Sequence, residues 1–545
     1  MPGAVTEEPK AAPPQRSDNS EQAVWKPKFN PWIIAVAVTL ASFMEVLDTS
    51  IANVALPHIA GGMSASEDEA TWVLTSYLVS NAIILPLSGW FSLLMGRKRF
   101  YMTCVVIFTI SSFLCGIAPT LGLLVLFRVI QGFGGGGLQP SEQSILADTF
   151  PPRQRGMAFA IYGIAVVTAP AIGPTLGGWL TDNFTWRWIF FINIPVGILS
   201  LFLTSFLLED PPYLVKQRAE RLKTKLRVDY WGIILIALGL GFLQIVLDKG
   251  ERDDWLASPF IRMSLLISVA SLIFAVYWEF KVKDPVVDLS LLKDRNFAVS
   301  AFLMFNVGVV LLGSTVLIPQ YLQIVMGYSA TQAGLALSWG GLLVMAMLPF
   351  VGILLGKVEA RWLIGLGLFI TSAALLHMTS FSTDMDFHYA VMARCFQAAG
   401  LAFLFVPINT AAYAFVPRNK NNAASGLVNL ARNVGGSVGI SAVTTILVRR
   451  QQFHQARLTE GLHGLNPNFN AAVKGANSAI MSGQHAAASP PALATYDLIL
   501  RNVQRQAATL SYIDCFWLLG CVFGAMVPLV FVMKKAKPGR AVAAH

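Results

Sequence analysis

Residues 121–147 read LGLLVLFRVIQGFGGGGLQPSEQSILA and residues 388–415 read HYAVMARCFQAAGLAFLFVPINTAAYAF. Each run is apolar and long enough to cross a bilayer core about 30 Å thick, which takes roughly 20 helical residues. Each also carries an arginine where hydrocarbon makes charge expensive. The arginines sit in the same short pattern, Arg128-Val-Ile-Gln131 in the first run and Arg394-Cys-Phe-Gln397 in the second. Two further landmarks repeat at nearly the same spacing: Pro152-Arg153 returns as Pro417-Arg418, and Leu85-Pro86 with Gly89 returns as Leu348-Pro349 with Gly352. The chain therefore reads as a parallel repeat of two halves. Halves related by an axis along the membrane normal rock against each other around a midplane site, which points to transport rather than to a static membrane role.

Working outward, the 545 residues are 55% hydrophobic and only 13% charged, too apolar for a polar surface to enclose. Fourteen apolar runs are expected to span: 32–56, 71–94, 100–119, 121–147, 157–181, 188–208, 230–247, 259–280, 297–322, 330–355, 362–380, 388–415, 422–447 and 511–533. They group into a polar tail (1–31), a first six-helix bundle (32–208), two additional helices (230–280), a second six-helix bundle (297–533) and a short tail (534–545). A long outside loop is expected over 449–510. An even number of spans puts both termini on one side, and a cytoplasmic N-terminus places most of the 40 Lys and Arg residues inside. Arg97-Lys98-Arg99 and the basic run over 216–227 then read as cytoplasmic anchors.

The net charge of +10 forms no continuous stripe, so nucleic acid is excluded as a partner. Cys104, Cys115, Cys395, Cys515 and Cys521 all lie in apolar runs without paired spacing, and read as membrane hydrophobes. No nucleotide-binding loop appears, and no His/Glu or His/Cys constellation supports a metalloenzyme.

Four segments carry a family resemblance: Leu47-Asp-Thr-Ser-Ile-Ala-Asn-Val-Ala-Leu-Pro57, Arg128–Gly132, Ala169-Pro-Ala-Ile-Gly-Pro-Thr-Leu-Gly-Gly178, and Trp186-Arg-Trp-Ile-Phe-Phe-Ile-Asn-Ile-Pro195. Together they resemble the major facilitator superfamily, and specifically its fourteen-helix drug:proton antiporters of the EmrB type. That resemblance implies an all-α integral membrane fold, two six-helix bundles plus two helices. It further implies a proton-driven multidrug exporter of the bacterial inner membrane, using no cofactor beyond the proton gradient. Its implied surroundings are the lipid bilayer, lipophilic small molecules, a periplasmic adaptor protein and an outer-membrane channel. The Pro170, Gly173, Pro174 and Gly177 face resembles the family's antiporter motif, with close helix packing as the plainer reading. The loop after the second span keeps Gly89, Gly96 and Arg97 but has Leu93 at the family's acidic position, and Asp148 is the substitute partner considered for Arg97. Exposed loop charges of little energetic value are the alternative.

Ionisable residues inside the spans are the default functional candidates. Asp48 lies roughly 13 Å from the outer end of the first span, and Arg128 roughly 11 Å from that of the fourth, so the two match in depth. Two readings stand: a pair broken by an incoming proton, or a permanent ion pair that fixes helix register. Glu45 lies one turn from Asp48 on the same face and is the candidate substrate-facing acid, able to alternate between proton and cation. Glu142 is a candidate for proton exit, or a hydrated acid at the inner mouth. Arg394 lacks an obvious partner, Asp514 being one candidate, and Arg432 precedes Gly435-Gly436; structural use is the plainer reading of both arginines. Asn306, Gln320, Tyr321, Gln323 and Asn409 are candidate lining residues of a substrate cavity, with interhelical glue as the alternative. The rival functions are export of an endogenous metabolite, lipid or siderophore, and a non-transporting receptor or scaffold.

Overall fold

A computed structural model describes residues 27–223, 229–282, 285–460, 462, 466–481 and 491–535. Its long helices are α1 (Pro31–Gly62), α2 (Trp72–Met95), α3 (Arg97–Ile117), α4 (Leu121–Thr149), α5 (Arg155–Asn183), α6 (Asn193–Leu207), α7 (Pro212–Lys223) and α8 (Tyr230–Lys249). They continue with α9 (Pro259–Lys281), α10 (Arg295–Gln320), α11 (Ala330–Leu354), α12 (Ala360–His377), α13 (Phe387–Ala412), α14 (Asn421–Glu460), α15 (Pro467–Met481) and α16 (Pro491–Met526). No strand occurs among the described residues. Hydrocarbon offers no partner for backbone N–H and C=O groups, so a spanning segment closes its bonds within a helix. Local signals set the ends. Thr120 caps α4 by accepting from Leu123 N, Asp294 caps α10, and Ser329 with Gln332 forms a capping box on α11. The α2–α3 turn is a single residue, Gly96, whose φ of 87° lies in the region that favours glycine.

The repeat read from the landmarks is present in the packing. In the first half α1 packs on α5, α2 on α4, α3 on α4 and α3 on α6; in the second, α10 packs on α14, α11 on α13, α12 on α13 and α12 on α16. The halves meet symmetrically too, α5 against α11 and α14 against α2. α8 lies on α2 and touches α14, while α9 packs on α8 and presents Phe260, Leu266, Ile273, Phe274 and Phe280 outward. Large apolar side chains cover the outside, and Arg128, Asp48, Glu45 and Glu142 are buried. That inside-out distribution suits lipid as the surrounding solvent.

Two expectations change. Among the described residues thirteen helices are long and apolar enough to cross a membrane, and α14 is not one of them. Its first turns bury Asn421, Asn422, Asn429 and Arg432 against the other half, which lowers its hydropathy without removing it from the bundle. The segment 449–510, read as a loop, is mostly helical among its described residues: α14 continues to Glu460, α15 fills 467–481 and α16 begins at Pro491. Its Ala and Gln content favours helix, and the pairs Arg457–Glu460 and Arg501–Asp497 stand at helical spacing. Residues 1–26 and 536–545, which hold most of the two expected tails, lie outside the described residues.

Candidate functional site

The first half encloses a charged centre. Arg128 Nη1 meets Asp48 Oδ2 at 2.5 Å and Gln131 Oε1 at 2.7 Å, while its Nε donates to the Val73 carbonyl at 3.0 Å. The other carboxylate oxygen, Asp48 Oδ1, accepts from Asn193 at 2.7 Å and from Gln131 Nε2 at 3.1 Å. Ser112 Oγ accepts from both of those amides at 2.9 Å, and the guanidinium lies over the Tyr77 ring, 4.4 Å from its centroid. Arg128 is 0% exposed and Asp48 2%. Burying two charges is costly unless their remaining sites are satisfied, and here Asp48 has three donors. The helical offset of three that joins Arg128 to Gln131 places both heads on one face of α4.

One turn away, Glu45 has neutral partners. Tyr77 OH donates to Oε1 at 3.0 Å, Asn81 donates to the same oxygen at 3.2 Å, and Gln139 Nε2 donates to Oε2. Gln139 then links the halves: its Oε1 accepts from Tyr162 OH at 3.0 Å and from Arg432 Nη2 of α14. Arg432 Nη1 also reaches Tyr162 OH at 3.1 Å, and Asn433 donates to Asn81 Oδ1 at 3.2 Å. Glu142, two helix turns along α4 from Gly135, accepts from Thr39 Oγ1 at 2.6 Å, and its buried Oε2 has no hydrogen-bond partner. Next to it on α4, Gln143 Oε1 accepts from Asn429 at 2.9 Å, Ser425 at 3.0 Å and Tyr413 at 3.2 Å, all from the second half.

The gating candidates fall at the interfaces between helices. Arg97 and Asp148 form an ion pair with both side chains 3% exposed, so neither is a solvated loop charge. Tyr213 of α7 donates to Asp148 at 2.7 Å and Asn421 of α14 at 2.8 Å. Burial, with the Asp148 carboxylate alongside, pushes the Tyr213 phenol well above its usual range. A Cβ on Gly89 would stand 2.9 Å from the Ala423 backbone, so α2 and α14 approach closely there. In α5, Gly173 and Gly177 lie against Ser50 and Ile51 of α1, while Ser338 of α11 donates to the Ala171 carbonyl at 3.0 Å. The Pro170–Gly177 face is thus wedged between one helix of each half; Pro174 is partly exposed beside it.

Several candidates are not gathered. Asn306 and Asn409 donate to carbonyls of their own helices, at 2.8 and 2.9 Å. Tyr321 is fully buried in a π-helical turn against Phe381 and Tyr512, Gln323 is exposed and Gln320 partly so. None of the five bonds to the Glu45 network among the described residues. Asp514 is held by Arg450 at 2.5 Å and His454 at 2.7 Å rather than by Arg394. Gln139, Tyr77, Asn81 and Tyr162, which help complete the acid sites, carry no charge and so gave no signal in the sequence, while Asn193 stood in a quoted motif without a role assigned to it. The string Gly435-Gly-Ser437-Val-Gly439 has the spacing of a hydrolase nucleophile turn, yet Ser437 lies inside α14 and donates to Gln244 at 3.0 Å. No group of metal-ligating side chains occurs among the described residues.

Against known proteins, residues 38–440 match the model of the Major Facilitator Superfamily. The chain is 36% identical over 504 residues to the "Multidrug export protein EmrB" of Escherichia coli (strain K12), covering 92% of this chain and 95% of that one. It is 35% identical over 502 residues to the "Fatty acid resistance protein FarB" of Neisseria gonorrhoeae, covering 92% and 96%. Among solved structures, the proton:xylose symporter XylE superposes with a TM-score of 0.57 at 15% identity, over 94% of this chain and 97% of that one.

Proposed function

This chain belongs to the Major Facilitator Superfamily, and on that premise we propose that it is a multidrug exporter driven by proton exchange at Glu45 and Asp48. It is a multi-pass membrane transporter rather than an enzyme. Lipophilic compounds leave through the space between the halves; the Escherichia coli relative is named for multidrug export. Counting α14 as a span gives fourteen, with both termini cytoplasmic and the Arg97–Asp148 pair at the cytoplasmic face. The membrane is the bacterial inner membrane, and the helical extension of α14, α15 and α16 on the far side is where an adaptor protein leading to an outer-membrane channel docks.

One observation carries the reading: Glu45 of the first half is joined to Arg432 of the second through the single amide of Gln139. An ionised Glu45 accepts only, so it turns the Gln139 NH₂ toward itself and leaves Oε1 for Arg432. A protonated Glu45 can donate. Gln139 then turns its oxygen to Glu45 and presents NH₂ to a guanidinium that has no acceptor, so the Gln139–Arg432 bond between the halves is lost. Neutralising one carboxyl thereby changes the relative energy of the two arrangements of the bundles, as coupling requires. Asp48 holds Arg128 in the same half, and the unpartnered Oε2 of Glu142 offers a place where a proton adds without breaking a bond.

The reading is tested in proteoliposomes with an imposed pH gradient and ethidium as cargo. Wild type moves the dye uphill; Glu45→Gln does not respond to the gradient. Equal uphill transport after collapse of the gradient, with no other ion gradient present, would rule the reading out.

A further inference from the structure

The two helices outside the repeat hold a pair of acids that exchange at Glu45 and Asp48 does not use. Asp229 caps α8: its Oδ1 accepts from Gly232 N at 2.9 Å and from Trp278 Nε1 of α9 at 2.8 Å. Glu279 stands near the end of α9, and its Oε2 accepts from Val287 N at 3.3 Å. Each carboxyl has one oxygen left over. Asp229 Oδ2 and Glu279 Oε1 are buried without a hydrogen-bond partner, in residues 9% and 5% exposed. Both free oxygens are aimed at one place: a Cβ on Gly232 would stand 2.3 Å from Oδ2 and 2.9 Å from Oε1.

No basic side chain answers these oxygens among the described residues. The charged groups that act on Glu279 are Asp229 and Asp288, both acidic, and Asp288 is held by Lys420 at 2.6 Å, just before α14. Lys281 turns to the exposed Tyr277 hydroxyl, and Tyr230 at the start of α8 is exposed. The other charges of the two helices, Asp248, Lys249 and Arg262, lie at their far ends. α2 has no charged side chain, and the first charged residue of α14, Arg432, is committed to Gln139 and Tyr162. Two carboxylates left ionised and unsatisfied in one buried place repel each other and are costly. A single proton answers both oxygens, because the protonated one donates to the other. One negative charge then remains, faced by three N–H donors and by the N-terminus of α8, an end that favours an anion over a metal ion.

We propose that Asp229 and Glu279 hold one proton between them, and that this proton fastens the segment 285–291 onto the bundle. The segment is placed to report the state of the pair. Val287 bonds Glu279, Val286 and Val287 pack in one cluster with Leu87 of α2 and Leu427 of α14, and Asp288 holds Lys420. It therefore lies across the contact between the halves that closes around Gly89. When the proton leaves to water, the two carboxylates repel and the segment loosens. The proposal stands apart from the exporter reading, and its test uses neither cargo nor gradient.

The test melts the detergent-solubilised full chain, as wild type, Glu279→Gln and Asp229→Asn, from about pH 5 to about pH 9. Each substitution puts an amide N–H where the proposal puts the proton, and Asn keeps the cap of α8. The unfolded chain gives up the proton that the folded pair keeps, so wild-type stability falls relative to both variants as pH rises. The melting temperatures are expected to lie close together at the acid end, with the variants higher by roughly 3 °C or more at the alkaline end. Hydrogen exchange of the peptide carrying Val287, corrected for intrinsic rate, is expected to lose protection at least about fivefold over that range in wild type and to hold steady in Glu279→Gln. Parallel melting profiles in all three proteins overturn the shared proton. Diverging profiles with unchanged protection overturn its fastening role. A rise in wild-type melting temperature on adding magnesium, absent in Glu279→Gln, overturns the proposal in favour of a bound cation.

Discussion

Asp48 and Glu45 stand one turn apart on α1, yet one faces a charge and the other faces amides and a phenol. The difference predicts unequal costs on neutralisation. Asp48→Asn leaves the Arg128 guanidinium buried without its counter-charge, a loss of roughly 3–5 kcal/mol. Glu45→Gln keeps a neutral acceptor among neutral partners and is expected to cost about 1 kcal/mol. Thermal denaturation of the detergent-solubilised variants checks this, with Asp48→Asn clearly the lower melting and the Asp48→Asn/Arg128→Gln double variant recovering part of the loss. Similar melting of the two single variants would contradict it. Much of this centre was legible beforehand: charges in apolar runs are conspicuous, and helix rise alone put Asp48 and Arg128 at one depth. The amides were not, because Asn and Gln serve equally as interhelical glue, and nothing in a single chain tells which of them meets Glu45. Of the four amides and one phenol read as cavity lining, Asn306 and Asn409 bond within their own helices, Tyr321 packs in the core, and Gln320 and Gln323 stand partly or fully exposed.

Among the elements, α14 decides how the halves engage. It lies so close to α10 that a Cβ on Gly435 would stand 1.9 Å from the Phe305 carbonyl oxygen, and one on Gly439 2.3 Å from that of Val309. Gly435→Val is therefore expected to prevent recovery of monodisperse protein, whereas Gly178→Ala, which meets nothing within 4 Å, is expected to behave as wild type. Size-exclusion profiles of the two variants decide it. At the start of α14, where Asn421 meets Asp148 of the first half, reversing Arg97 or Asp148 alone places like charges in a buried pair, and export should fall at least about tenfold in either case. The double reversal should restore only part of it, because Tyr213 and Asn421 also donate to Asp148 and would then face a guanidinium. Dye efflux from cells expressing the three variants is the check. The apolar runs marked the spans that face lipid and included 422–447 of α14, whose buried asparagines and arginine face the opposing half; the helical extension of α14–α16 was missed because its polar, Ala- and Gln-rich composition reads as a loop.

For the whole molecule, the internal repeat is the feature that ties sequence to mechanism. It was visible as three landmarks at nearly the same spacing and returns as two matched sets of helix contacts, with α5 on α11 mirrored by α14 on α2. Such an arrangement has two related interfaces that can open in turn, and in the proposed mechanism the Glu45–Gln139–Arg432 link makes their balance depend on one proton. Exchange of one proton for a cationic cargo has a direct signature in binding. Cargo affinity must rise with pH, by up to about tenfold per unit while the acid titrates, because each cation bound displaces a proton. The most direct measurement is ethidium affinity across pH in purified protein, for wild type and Glu45→Gln. The account predicts affinity that climbs with pH in wild type and a flat, weak profile in the variant; a flat profile in wild type, or the same climb in both, would contradict it.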